Sequence, residues 1–180
     1  MIDYEKLSKD CSYILRHAAD DYFLTSDSQG WVDLKEFINV LNLCFGWNTL
    51  NELDINVMIA QSKKKRHEIV DGRIRAMYGH SIKQKIIYEE REPPSFLYHG
   101  TEEKNIIPIL KYGLEKQRRQ YVHLTNDYNI AYYSAIRKNK KITVIKIRSK
   151  AAWKDGIKFY QPEIGVWLAD YIPSKYLVSI

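Results

Sequence analysis

"KKKRHEIVDGRIRAMYGHS", residues 63–81, decides the fold of the first half of the chain. It packs six Lys or Arg and two His into nineteen positions, yet apolar residues alternate through its middle. Asp71-Gly72 is a strong hairpin signal, because a two-residue type I′ turn needs positive φ at both central residues and Asp and Gly tolerate it. Such a loop fixes the register: 70 opposes 73, 69 opposes 74, 68 opposes 75, 67 opposes 76 and 66 opposes 77. His67, Ile69, Ile74 and Ala76 then share one face, and Arg66, Glu68, Val70, Arg73, Arg75 and Met77 share the other. Arg75, directly opposite Glu68, is expected to pair with it.

Upstream the sequence reads as three helices. Leu7, Cys11, Ile14 and Leu15 form an apolar stripe over residues 4–17, closing on Arg16-His17, where cations suit the carboxyl end of a helix. Asp33 with Glu36 is a capping box for a second helix with Leu34, Phe37, Ile38 and Leu41 as its apolar face. Thr49 with Glu52 repeats the signal and predicts a third, with Leu50, Leu53, Val57 and Ala60 as its stripe. Three helices followed by a hairpin is the layout of a winged-helix lobe, here spanning residues 1–92. Pro93-Pro94 breaks regular structure and marks the linker.

Beyond it, in residues 93–180, short strands at 96–98, 121–124, 142–147 and 165–168 alternate with helical stretches at 103–112 and 127–138, the first stopped by Gly113. That mixture predicts an α+β lobe rather than a doubly wound sheet.

Composition bounds the function. The 180 residues are 45% hydrophobic and 13% aromatic, enough for a packed core in one domain or two small lobes. Residues 61–85 hold eight basic side chains against two acidic ones, which accounts for the whole net charge of +6 and points to a localised polyanion contact. The two cysteines and the acidic, amphipathic start lead us to expect a reduced, cytoplasmic protein. No apolar run approaches the roughly 18–20 residues of a membrane span. The five His never fall at zinc-site spacings, so no metal is expected. Neither a Walker loop nor G-x-G-x-x-G occurs, which excludes the common nucleotide-binding loops.

Two clusters share one form: Gly79-His80-Ser81 and His99-Gly100-Thr101 each combine a His, a Gly and a hydroxyl beside a predicted strand. Glycine allows close backbone approach to a ligand, and His with Ser or Thr offers hydrogen bonds to ribose hydroxyls or a carboxamide. Arg16-His17 alone reads as a solvated helix end.

"LSKDCSYILRHAADDYFLTSDSQGWVDLKEFI" (7–38), the opening stretch, "FLYHGT" (96–101), "RQYVHLT" (119–125) and "GVWLADYIP" (165–173) resemble, in order, the segments of the RNA 2′-phosphotransferases, also called tRNA 2′-phosphotransferases. The resemblance implies an RNA-binding winged-helix lobe joined to an ADP-ribosyltransferase-like lobe that binds NAD+, with the active site in the cleft between them. It implies removal of an internal 2′-phosphate from RNA or tRNA with consumption of NAD+. The 2′-phosphate attacks the nicotinamide ribose; the neighbouring ribose hydroxyl then attacks phosphorus, releasing 2′-OH RNA and ADP-ribose 1″,2″-cyclic phosphate. The family's catalytic set falls on Arg16, His17, Arg66 and Arg119, and its NAD-contacting segments on Gly79, His80 and Ser81 and on His99, Gly100 and Thr101, with Thr125 beside them. Lys63, Lys64, Lys65 and Arg73 are left for the RNA backbone, in a protein expected to act as a monomer. The sequence departs from the family at His67, usually Phe, at Met77-Tyr78, usually Asn-Gln or Val-Gln, and at Ile164, commonly Asn. The competing readings are a non-catalytic winged-helix nucleic-acid binder and an ADP-ribosyltransferase that stops after modifying a terminal nucleic-acid phosphate.

Overall fold

A computed structural model describes residues 2–136 and 140–179. It combines helices and sheets in an α+β arrangement and divides into two compact units, Met1–Ile87 and Tyr88–Ile180.

In the first unit, helix α1 (Tyr4–Tyr13) starts at Asp3, whose carboxylate accepts from the Lys6 N–H at 2.9 Å. The helix does not simply stop at Arg16-His17. It widens into a π-helical turn, Ile14–Ala18, which keeps Ile14, Leu15 and Ala18 buried while leaving His17 exposed. Single π-turns cost backbone hydrogen-bond geometry and recur where function needs a side chain re-aimed. Strand β1 (Val32–Asp33), which the sequence did not announce, leads into α2 (Leu34–Cys44), capped by the Asp33 carboxylate.

The third helix, α3 (Glu52–Gln61), corrects the sequence reading. Its cap is Asn51 in a capping box with Asp54, two residues later than the Thr49–Glu52 pair implied. The cap sets where the helix starts, while packing sets which side is covered: Ile55 and Met58 are buried, and Leu53 is left 69% exposed.

The hairpin of β2 (His67–Val70) and β3 (Arg73–Ala76) has the predicted register, from His67 opposite Ala76 to Val70 opposite Arg73. Asp71 and Gly72 have φ of 48° and 70°, as a type I′ turn demands. Strand β1 pairs with the other edge of β3, giving the order β1-β3-β2. His67, Ile74 and Ala76 are buried as expected, but so is Met77, which the alternation put on the polar face.

In the second unit, β4 (Leu97–Glu102) pairs along its length with β7 (Ile142–Ile147), whose far side carries β11 (Leu177–Ser179). A second sheet has the order β6 (Val122–Leu124), β9 (Val166–Ala169), β8 (Phe159–Glu163), and β5 (Leu114–Glu115) pairs with β10 (Tyr171–Ile172). Helix α4 (Ile106–Tyr112) ends at Gly113, α5 (Tyr128–Ala135) packs on β4, and α6 (Ser149–Lys154) follows β7. The predicted helix over 127–138 reaches residues 137 and 138, which lie outside the described residues. The core is built from Leu97, Leu124, Ile145, Ile147, Phe159 and Trp167. Ahead of Pro93-Pro94, Glu90 bridges to Tyr160 and the Arg91 N–H donates to the Phe159 carbonyl, so this segment is tied to β8. Among the described residues no helix is long and apolar enough to cross a membrane.

Candidate active site

The π-turn at Ile14–Ala18 and the turn between α3 and β2 bring Arg16, His17 and Arg66 to one cavity of about 710 Å³ within the first unit. Ser12, Tyr13 and Lys63 share its wall. Three basic groups that resemblance alone had linked are therefore joined by the fold. Such a cluster suits a phosphate, because guanidinium donors bind its oxygens in pairs and imidazole exchanges protons near neutral pH.

The segment after β3 seats this turn. The Ser81 N–H donates to the Arg16 carbonyl at 2.8 Å, and Ser81 Oγ lies 2.8 Å from His17 Nδ1. Gly79, at φ +95°, leaves room for Arg16: a Cβ there would stand 3.3 Å from Arg16 Cδ. The Arg16 guanidinium lies 5.1 Å from the centre of the Tyr78 ring, within cation–π range. Tyr78, one of the departures from the family pattern, thus touches a residue of the implied catalytic set.

Two buried histidines back the cavity. His67 Nε2 lies 3.0 Å from Ser12 Oγ, and burial with the nearby charges of Arg16 and Arg66 lowers its pKa to about 3. His80 is likewise lowered to about 3 by burial, Arg16, His17 and Arg75. Both are neutral at pH 7, so neither adds to the positive charge.

The remaining basic residues separate by surroundings. Lys63, Lys64 and Lys65 are exposed, with Lys65 Nζ 3.9 Å from Glu68. Arg75 Nε donates to Glu68 at 2.6 Å, as expected, and its guanidinium lies 4.4 Å from the centre of the Trp31 ring. Arg73 pairs with Asp27 at 3.3 Å and also lies over Trp31, at 5.5 Å.

In the second unit, His99, Gly100 and Thr101 are inside β4 rather than at its edge. His99 Nδ1 donates to the His123 carbonyl at 2.8 Å, and burial, which outweighs that bond, lowers its pKa; the charge of Arg119 adds to the lowering. Arg119 itself is exposed, in the turn before β6. Thr101 Oγ1 accepts from Asn105 Nδ2 at 3.2 Å. Thr125 exchanges backbone bonds with Tyr98, 2.7 and 3.0 Å long, and its hydroxyl accepts from the Asp127 N–H at 3.3 Å. Gly100 has a packing reason: a Cβ would fall 2.0 Å from the Ala131 carbonyl oxygen, so only glycine lets α5 sit against β4. His99, Thr101 and Asn105 line a cavity of about 350 Å³ whose apolar wall includes Ile109 and Leu114.

Sequence reasoning did not place Ser12 or Tyr13 at this cavity, and it named Tyr78 only as a departure from the family pattern. The available signal was helical spacing, because Ser12 and Tyr13 precede Arg16 and His17 by four positions each and so share their faces.

Residues 3–171 match the family described as RNA 2′-phosphotransferase, Tpt1 / KptA family. A probable RNA 2′-phosphotransferase of Acetivibrio thermocellus is 48% identical over 177 residues, covering 98% of this chain and 97% of that protein. One of Bacillus thuringiensis is 42% identical over 97% of this chain and 94% of its own, and one of Pyrococcus abyssi 34% identical over the same shares.

Proposed function

Because the chain belongs to the RNA 2′-phosphotransferase family, we propose that it removes an internal 2′-phosphate from RNA, of the kind left at a tRNA splice junction, with consumption of NAD+. The observation that carries the reading is the meeting of Arg16, His17 and Arg66 at one cavity.

The residues divide by chemistry. Arg16 and Arg66 orient the phosphate and offset its charge, which grows more crowded as phosphorus is attacked. His17, held at Nδ1 by Ser81, exchanges a proton with the attacking ribose hydroxyl or the departing RNA oxygen through Nε2. Arg119, in the second unit, is the fourth member of the set. For Gly79, His80 and Ser81 we assign, besides the cofactor contact that the resemblance implies, the seating of the Arg16-His17 turn. Lys63, Lys64 and Lys65 meet the wider RNA backbone; Arg73 does so from its ion pair with Asp27.

We assign NAD+ to the second unit. His99, Thr101 and Asn105 supply hydrogen-bonding groups, and Ile109 and Leu114 an apolar wall, in a cavity of about 350 Å³, within the range of small-molecule pockets. NAD+ supplies a ribose carbon made electrophilic by its nicotinamide leaving group. That departure needs little acid or base, since nicotinamide leaves neutral and the phosphate is already ionised. The demand on His17 therefore falls on the later attack at phosphorus.

The test is to incubate the protein with a 2′-phosphorylated oligoribonucleotide and NAD+ and to resolve RNA, nicotinamide and cyclic phosphate over time. The reading requires all three products, and it requires His17→Ala and Arg66→Ala to accumulate RNA that carries ADP-ribose on its 2′-phosphate. A stable ADP-ribosylated product from the unaltered protein would make it a transferase that stops early, and no nicotinamide release would leave a nucleic-acid binder.

A further inference from the structure

The cavity of Arg16, His17 and Arg66 is larger than a phosphate requires. At about 710 Å³ it lies within the range of roughly 300–1,000 Å³ found for pockets that enclose a whole small molecule. Part of its wall is aromatic. Tyr13 is 50% exposed, and its hydroxyl makes no hydrogen bond among the described residues. Its ring is nonetheless held in place: the Phe45 ring is 6.4 Å away and tilted by 57°, and Tyr22 backs Phe45 at 5.3 Å. Tyr13 also stands four residues before His17 on the same helical face, with their ring centres 6.5 Å apart.

An aromatic ring braced from behind, exposed in front and set beside a cluster of cations is how a protein receives a polyanion that carries flat apolar groups. We propose that Tyr13 is the stacking platform for one of the two nucleobases that flank the 2′-phosphate. This rests on the reading of the cavity as the RNA 2′-phosphate site and adds a base subsite to it. Stacking accepts any base, since each has a π-face, so the subsite positions the phosphate without choosing a sequence. Phe45 and Tyr22 brace the ring and so act as positioning residues.

The experiment measures binding before turnover. Fluorescence anisotropy, without NAD+, gives the Kd of short 2′-phosphorylated oligoribonucleotides that are intact or abasic at either flanking position, for the unaltered protein and for Tyr13→Ala, Tyr13→Leu and Tyr13→Trp. We expect Tyr13→Ala and Tyr13→Leu to weaken the intact oligonucleotide by about 5- to 150-fold, the span of base–aromatic stacking. Tyr13→Trp should retain affinity. One abasic position should weaken binding to the unaltered protein by a similar factor and leave Tyr13→Ala no weaker than it already is. Turnover then shows the loss in KM for RNA and none in KM for NAD+.

Equal affinity for intact and abasic RNA overturns the proposal without any variant, as does near-native affinity in Tyr13→Leu or additive losses in the variant and the abasic strand. If these binding results hold and no NAD+ is consumed, the assigned reaction fails and the stacking site stands. If turnover is normal and binding ignores the base, only the stacking site fails.

Discussion

Gly79-His80-Ser81 and His99-Gly100-Thr101 contain the same kinds of residue, one cluster in each unit, and the fold uses them in opposite ways. In the first, the glycine has a positive φ and open space that admits Arg16, and the hydroxyl holds His17. In the second, the glycine lies within a strand and is required because a helix backbone occupies the place of its side chain; the hydroxyl bonds Asn105. One cluster shapes a site, and the other lets two elements pack. What stands where a Cβ would go separates the two roles, and composition does not reveal it.

Alanine at each glycine should break the likeness most sharply. Gly100→Ala drives a Cβ into the Ala131 carbonyl, and neither strand nor helix backbone can yield as a side-chain tip would. We expect a loss of at least about 3 kcal/mol in the stability of the second unit, read by denaturant unfolding. Gly79→Ala meets only the flexible stem of Arg16 and carries a backbone cost of about 1–2 kcal/mol. It should keep the fold and lose turnover. A Gly100→Ala protein that unfolds like the parent would show that α5 adjusts freely and that the glycine faces a ligand instead.

Much of the first unit was legible because its signals are local. The Asp71-Gly72 turn dictates the register of the hairpin, and that register alone predicts the Glu68–Arg75 pair. The start of α3 was misread because Thr49-Glu52 and Asn51-Asp54 both satisfy the capping pattern, and only packing selects between them. In the second unit β7 was placed end to end, while β5, β8, β10 and β11 were missed. Strands of two or three residues carry no periodicity and exist through distant partners, and Pro162 inside the five-residue β8 argues locally against a strand. In the candidate site, the residue types were visible, but the Ser81 contact that holds His17 joins positions 64 apart.

The two histidines of the first unit offer the next largest effect. His67 and His80, with pKa values near 3, stay neutral in the folded protein, while in the unfolded chain they take up protons near pH 6.5. The unfolded state therefore binds more protons between pH 6.5 and 3, and stability falls as pH falls through that window. Each histidine should cost the first unit on the order of 2 kcal/mol between pH 7 and 5, followed by amide hydrogen exchange. Replacing His67 by Phe removes its share, lowering the slope by about 1.4 kcal/mol per pH unit. An unchanged slope would mean that His67 is protonated when folded, with Ser12 as its acceptor.

The smallest effect tests the hydroxyls. Ser81→Ala removes the 2.8 Å contact at His17 Nδ1 and should lower kcat by up to about tenfold, the factor that one hydrogen bond supports. A merely structural loss would leave the pH dependence of kcat in place; loosening the imidazole displaces it, and Ser81→Thr should restore it. Thr101→Val leaves His17 untouched and breaks only the bond from Asn105, so its effect should appear in KM for NAD+ at an unchanged pH profile. If both variants moved the same parameter, the two clusters would share one role after all, and the contrast drawn from their glycines would end at packing.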